Sequence, residues 1–150
     1  MDPQLKLTEN FTLGEFTRSE TAQRFGIKNE PDADQLDNLR YNAEHMEMVR
    51  DLLGCPIHIS SGLRVVEINR KIGSKDTSDH VKGLATDFEA PQFGSPLTIC
   101  RAIEASNLPF KQLIFEHTWV HISWDPEADR PKREVLTLMP GVTYARGIVV

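Results

Sequence analysis

The stretch SDHVKGLATD, residues 78–87, places an imidazole seven residues before a carboxylate, with a glycine between them. His80 and Asp87 are candidate metal ligands, and Gly83 allows the chain to turn sharply between them. The arrangement is typical of a loop that runs into a strand and holds a metal ion. Because this spacing is a weak signal by itself, a third ligand has to be found elsewhere in the chain.

The apolar run WVHIS, residues 119–123, supplies the best third candidate. Catalytic zinc commonly takes three nitrogen or oxygen ligands from the protein and leaves a fourth position for water. Alternation along a strand places His121 on the face opposite Val120 and Ile122, which face the core. A single histidine on a strand is nevertheless more often a hydrogen-bonded residue than a ligand. Three other histidines compete for the role: His45, His58 and His117.

The composition predicts one domain over residues 1–150. With 39% hydrophobic and 26% charged residues, the chain can form one compact core, and its length of 150 residues leaves no room for a second domain. Cys55 and Cys100 lie far apart and form no CxxC pattern, so we expect both to be reduced.

Charge and hydropathy exclude several classes of partner. The formal net charge is −5 and the 17 basic residues are scattered, whereas phosphate binding needs clustered Lys and Arg, so we expect no nucleic-acid partner. No stretch approaches the roughly 18 apolar residues that span a membrane. The start MDPQLKLTENF also lacks the pattern of a secretory signal. We therefore expect synthesis in the cytoplasm and no membrane partner.

The pattern of apolar residues and breakers predicts an α+β fold with helices around a mainly antiparallel sheet. Residues 1–31 form an N-terminal lead-in whose helix begins at a Ser19 cap and ends near Gly26. The most regular helix runs from Asp34 to Leu53 and stops at Gly54. Further helices are predicted at 65–72 and 96–105, and a loop at 74–83. Strands are predicted at 57–59, 84–90, 112–116 and 119–124, with one or two more within 134–139 and 142–149.

Linked motifs resemble a known family. SDHVKGLATD followed by WVHIS is similar to the SxHxxGxAxD and WxH signatures of the zinc D-Ala-D-Ala carboxypeptidase family, which includes related peptidoglycan endopeptidases. FTLGEFTRSETAQRFGIKNEP, PIHISSGLRVVEINRKIG and QLIFEHTWVHIS look like its phage-borne branch, so the resemblance covers nearly the whole chain. It implies a Hedgehog/DD-peptidase-like fold with one zinc ion on His80, Asp87 and His121.

Glu116 is the candidate catalytic base, because it is the acidic residue nearest to the third ligand. A zinc peptidase needs a group that takes a proton from water and returns it to the leaving amine. If 113–116 and 119–123 form a tight hairpin, Glu116 opposes Trp119 and shares the face of His121. The alternative is a solvated charge at a strand end. The better-known relatives have Asp or Glu three residues before the last ligand, where this chain has Thr118.

Two further residues are candidates for substrate binding. The SGxR motif of the family implies that Arg64 binds a substrate carboxylate or carbonyl, for which its planar fork of donors is suited. The alternative for Arg64 is a structural ion pair. Ser78 resembles the first residue of the metal motif and is a hydrogen-bonding candidate, whereas Asp79 would cap the loop or orient His80.

These features together predict a metallopeptidase. The resemblance implies a monomeric, endolysin-like enzyme that cuts peptidoglycan stem peptides, as a D,D-carboxypeptidase or as an endopeptidase. It would reach the cell wall after release from the cell that makes it. The alternative is a non-catalytic, metal-containing binding module or virion-associated module of the same fold, and Thr118 keeps this alternative open.

Overall fold

The computed structural model describes residues 1–150 and contains one six-stranded sheet with helices packed against it. The helices are α1 (Leu13–Thr17), α2 (Glu20–Phe25), α3 (Ala33–Leu53), α4 (Val66–Lys71), α5 (Asp79–Lys82) and α6 (Pro96–Glu104). The strands are β1 (His58–Ser61), β2 (Ala85–Glu89), β3 (Gln112–Phe115), β4 (Val120–Ser123), β5 (Glu134–Met139) and β6 (Thr143–Arg146). Their order is β1-β2-β4-β3-β5-β6, and only β3 and β5 pair in parallel. The predicted α+β class with a mainly antiparallel sheet is confirmed.

Helix α3 has the predicted course. The Asp32 side chain accepts a hydrogen bond from the Gln35 amide, and the Gln35 side chain accepts one from the Asp32 amide, which satisfies two free donors at the helix start. Gly54 ends the helix in the left-handed conformation, with φ of 68°. The buried face includes Leu39 and Met46 and packs into the main core. No helix of the protein is both long enough and apolar enough to cross a bilayer.

The N-terminal segment supports the chain that follows β1. The helix predicted after Ser19 is confirmed as α2, which Gly26 ends in the left-handed conformation. The preceding helix α1 was not predicted. Its Phe16 is fully buried, and the Phe16 carbonyl accepts a hydrogen bond from the Leu63 amide at 2.7 Å. A Cβ at Gly62 would lie 2.7 Å from the same carbonyl, so only glycine allows this close approach.

The prediction of a continuous loop over 74–83 is wrong for its last part, which forms the single-turn helix α5. The Ser78 side chain caps this turn by accepting a hydrogen bond from the His80 amide at 3.2 Å. Gly83 ends it with φ of 81°, where a side chain would be strained. These local interactions stabilise a helical turn in place of the predicted loop, and this turn carries His80.

A buried amide fastens α3 to this turn and to the sheet. The Asn42 Nδ2 group donates to the carbonyls of Gly83 and Ala85, at 3.2 and 3.1 Å. Its Oδ1 atom accepts from Thr86 Oγ1 at 2.8 Å and from Trp124 Nε1 at 3.1 Å. The amide therefore uses both its donor hydrogens and its acceptor oxygen within the core.

We predict that Asn42→Ala lowers the free energy of unfolding by about 2–4 kcal/mol, because several buried polar groups lose their partner. Chemical denaturation monitored by circular dichroism measures this change. Asn38→Ala is the matched control, since Asn38 makes one exposed bond to the Lys82 carbonyl, and we expect it to cost less than about 1 kcal/mol. Equal losses in the two variants would contradict the role given to Asn42.

Candidate metal centre

Adjacent strands and the α5 turn bring the three predicted ligands together. Asp87 on β2 lies directly opposite His121 on β4, and His80 projects from α5. One ligand atom from each residue lies within 4.8 Å of the other two. Asp87 Oδ1 is 2.9 Å from His121 Nδ1 and 3.3 Å from His80 Nε2. The fold thus assembles two imidazoles and a carboxylate. His121 is 34 residues away from Asp87 along the chain, and the pairing of β2 with β4 brings the two together.

A main-chain carbonyl fixes the tautomer of His80. His80 Nδ1 lies 2.7 Å from the Gly62 carbonyl, which can only accept, so Nδ1 carries the hydrogen. Nε2 is then left with a lone pair, and it is buried without a hydrogen-bond partner. This is the arrangement expected of a metal-binding imidazole. The prediction that Asp79 orients His80 is wrong, because the Asp79 carboxylate pairs instead with Lys111 Nζ at 3.0 Å.

The donor set fits a zinc ion. Tetrahedral zinc with bonds of about 2.0–2.1 Å separates neighbouring ligand atoms by about 3.3 Å. The distance from Asp87 Oδ1 to His80 Nε2 already has this value, and the distance to His121 Nδ1 is shorter by a few tenths of an ångström. A buried carboxylate beside an unpartnered ring nitrogen would gain a positive partner from the ion. His80, Asp87 and His121 are therefore the residues that would hold a metal here.

The electrostatics of the three groups depend on one another. Burial alone would raise the pKa of Asp87, but the neighbouring imidazoles hold it well below its usual range. Burial lowers the pKa of His80. Burial also opposes charge on His121, but the hydrogen bond and the charge of Asp87 outweigh it and raise the pKa of His121. In the metal-free protein, His121 therefore takes up a second ring proton more readily than His80 does.

Glu116 lies on the same face of the sheet as His121. The tight hairpin predicted for β3 and β4 is confirmed: the Glu116 amide donates to the Trp119 carbonyl at 3.2 Å, and His117 adopts φ of 63° in the turn. Trp119 Nε1 donates to Glu116 Oε2 at 3.0 Å. Burial, followed by the Asp87 charge, raises the pKa of Glu116.

Arg64 and Ser78 line the same cleft as the three ligands and Glu116, a space of about 810 Å³. The Arg64 amide donates to the His80 carbonyl at 3.0 Å. No acidic group lies within ion-pair distance of its guanidinium, and its Nε atom is buried without a partner. Burial lowers the pKa of Arg64. The alternative of a structural ion pair therefore finds no support.

The competing histidines lie outside the centre. His45 Nδ1 contacts the Tyr41 carbonyl at 2.8 Å, and His117 Nε2 contacts the Leu138 carbonyl at 2.7 Å. His58 is exposed on β1. None of them is part of the metal-binding group of three residues.

Some site residues were not found by sequence reasoning. Gly62 orients His80 through its carbonyl, and the only signal for it is the glycine within the SGLR segment. Trp119 donates a hydrogen bond to Glu116 Oε2, whereas the sequence predicted only that the two residues lie opposite each other in the hairpin. Tyr144 on β6 also lines the cleft, and no motif or spacing pointed to it.

We predict that the protein binds one zinc ion and that His121→Ala abolishes this binding, because two ligands do not fill the site. Isothermal titration calorimetry and metal analysis measure the stoichiometry. His58→Ala is the control, since His58 is exposed and outside the centre, and it should bind one ion as the unmodified protein does. Stoichiometric zinc in His121→Ala would place the metal elsewhere.

Zinc binding should also release protons in acid solution. At pH 6.5 His121, whose pKa is raised, is mostly protonated, whereas His80, whose pKa is lowered, is mostly neutral. We expect a net release of protons on zinc binding at this pH and a falling affinity as the pH drops further. Calorimetry in buffers of different ionisation enthalpy measures the release, and its absence would contradict the assigned proton.

Comparison with known proteins agrees with this centre. The sequence model described as Peptidase M15 matches residues 9–123, a segment that contains all three candidate ligands. Strands β5 and β6 lie outside the matched segment. No curated protein matches the chain. The resemblance drawn from the motifs is confirmed, and the chain belongs to the peptidase M15 family, a family of zinc D-Ala-D-Ala carboxypeptidase type.

Proposed function

We propose that this protein is a zinc-dependent peptidase that hydrolyses peptide bonds in peptidoglycan stem peptides. The observation that carries the proposal is the buried His80 Nε2 atom, which has a fixed lone pair and no partner, next to the Asp87 carboxylate. A zinc peptidase of this family needs such a set of ligand atoms to hold its metal ion. The surrounding cleft supplies Glu116 and Arg64 within the same space.

The side chains around the ligands have complementary tasks. A zinc ion in this site would supply Lewis acidity, which polarises a peptide carbonyl and activates water. Trp119 fixes Glu116 by its hydrogen bond to Oε2, and this leaves Oε1 free. Glu116 Oε1 would take a proton from the attacking water and pass it to the leaving amine. The raised pKa of Glu116 favours this exchange near neutral pH.

Arg64 would bind the substrate. Its guanidinium has no acidic partner in the protein, so its donors are free for a peptide carbonyl or carboxylate. The Arg64 amide donates a hydrogen bond to the carbonyl of a candidate ligand, His80. This bond fixes the backbone of the two residues relative to each other. Ser78 lines the same cleft, but its hydroxyl already caps α5, so we assign it a smaller part in binding.

The shape of the cleft favours an internal bond. A second cleft of about 590 Å³ shares the lining residues Arg64 and Ile72 with the first, and its walls include Arg18, Ser60 and Ser61. A carboxypeptidase would need the chain to end at Arg64. We propose that the peptide continues past Arg64 into this second cleft, which an endopeptidase would use and a D,D-carboxypeptidase would not.

The biological setting is proposed from the family resemblance. We propose an endolysin-like enzyme that acts as a monomer, is made in the cytoplasm and reaches the cell wall after release. Its partner would be the peptide part of peptidoglycan rather than nucleic acid, and the net charge of −5 supports this choice.

We predict that Glu116→Gln retains one zinc ion but lowers kcat by about 10²–10⁴-fold, because the proton acceptor is lost while the ligands stay in place. Digestion of purified muropeptides, followed by mass spectrometry, measures the rate. Glu127→Gln removes an exposed charge of the same kind and should leave the rate unchanged. Full activity in Glu116→Gln would remove Glu116 from the mechanism.

The choice of bond is tested by blocking the substrate end. We predict that the zinc-loaded protein cleaves a stem peptide with an amidated C-terminus about as fast as the free acid, because its cleft does not require a terminal carboxylate. Cleavage of the free acid alone, with loss of the last residue, would favour a carboxypeptidase. Stoichiometric zinc without any cleavage would favour the non-catalytic binding module.

A further inference from the structure

The hairpin of β5 and β6 forms one wall of the cleft although it lies outside the segment matched to the family. Strand β5 pairs with β3, and β6 forms the free edge of the sheet. Leu136, Val142 and Tyr144 of this hairpin face the same space as the ligands. This wall therefore comes from the part of the chain that follows the matched segment.

The strand register explains how the hairpin reaches the site. One row of paired residues crosses the sheet from β2 to β6: Asp87, His121, Ile114, Leu136 and Arg146. A second row lies two residues further along each strand and therefore on the same face. Phe115 pairs with Thr137, so the next residues along these parallel strands, Glu116 and Leu138, are neighbours. Leu138 in turn pairs with Tyr144. Tyr144 is thus two strands from Glu116 on the face that carries the ligands.

The Tyr144 hydroxyl is free and stays protonated. The residue is 49% exposed, lines the cleft and makes no side-chain hydrogen bond within the protein. Partial burial, followed by the charges of Glu116 and Asp87, raises its pKa. The hydroxyl lines the cleft and stays protonated at neutral pH, so it can donate a hydrogen bond to a molecule bound there.

The tip of the hairpin offers apolar contacts next to this donor. Val142 is 79% exposed and has φ of 57°, a conformation that is unfavourable for a β-branched residue. Strained backbone conformations cluster at active sites and ligand contacts, and Val142 lies in the lining of the cleft. With Leu136 it would contact an apolar group of a bound peptide.

We propose that Tyr144 is a substrate-binding residue whose hydroxyl donates a hydrogen bond to a backbone carbonyl of the peptide lying over the ligands. Val142 and Leu136 contact the neighbouring side chain of the same peptide. This inference rests on the proposed function and adds a specificity wall to it. Residues of the 72–79 segment line the same cleft, so a peptide in it would contact both parts of the chain.

The proposal is tested by measuring the kinetics of muropeptide digestion by the Tyr144→Phe variant. We expect kcat/KM to fall by about 3–10-fold, mainly through KM, because one hydrogen bond made in both the bound and the transition state is lost. Tyr144→Ala should have a larger effect through the lost ring contacts. Zinc stoichiometry should not change in either variant. Tyr41→Phe is the matched control, since Tyr41 is the only other tyrosine and stacks on His45 away from the cleft.

The proposal is overturned if kcat/KM of both Tyr144 variants stays within about twofold of the unmodified enzyme, and the proposed function would then still stand. If the unmodified protein cleaves nothing, the proposed function fails, and the proposal for Tyr144 is then tested by muropeptide binding. Muropeptide affinity is then measured by calorimetry on zinc-loaded Glu116→Gln, with and without Tyr144→Phe. A loss of about 3–10-fold supports the contact. Equal affinity, or no binding at all, overturns it.

Discussion

The Oδ1 atom of Asp87 lies between two imidazoles in a buried position, and the architecture of the site follows from the need to satisfy this charge. A buried carboxylate is stable only with hydrogen bonds or a positive partner. Without metal, the hydrogen bond between His121 Nδ1 and Asp87 Oδ1 serves this purpose. His80 Nε2 remains without a partner in that state, and a metal ion would satisfy both groups at once. The buried charge of Asp87, which is costly in the absence of a positive partner, therefore also favours the binding of zinc.

The surrounding structure holds the three ligands from different directions. The pairing of β2 with β4 fixes Asp87 opposite His121, and the α5 turn presents His80. The Gly62 carbonyl selects the His80 tautomer, and the close contact of Gly62 with Phe16 ties that carbonyl to the N-terminal segment. Asn42 joins α3 to the end of the α5 turn and to β2. Helices far from the cleft thus contribute to the geometry of the centre.

Local features of the fold could be predicted from the sequence, whereas contacts between distant segments could not. The long helix and its stop at Gly54 follow from apolar periodicity and a breaker, and the β3–β4 hairpin follows from alternation. The α5 turn was missed because one cap and one glycine give little signal in a polar loop. The carbonyl partner of His80 and the position of Tyr144 depend on chain segments 18 residues or more away from the centre, which spacing does not reveal. The ligands were found because their motif repeats a family pattern.

Zinc K-edge spectroscopy on the stoichiometric zinc complex, combined with an anomalous difference map from its crystals, tests the central claim most directly. The account predicts one ion bound by His80, Asp87 and His121, with two nitrogen ligands and one carboxylate oxygen at about 2.0–2.2 Å. It also predicts that His80 binds through Nε2 while Nδ1 keeps its bond to the Gly62 carbonyl. An ion found at other residues, a sulfur ligand from Cys55 or Cys100, or no ordered ion at this centre would contradict the account.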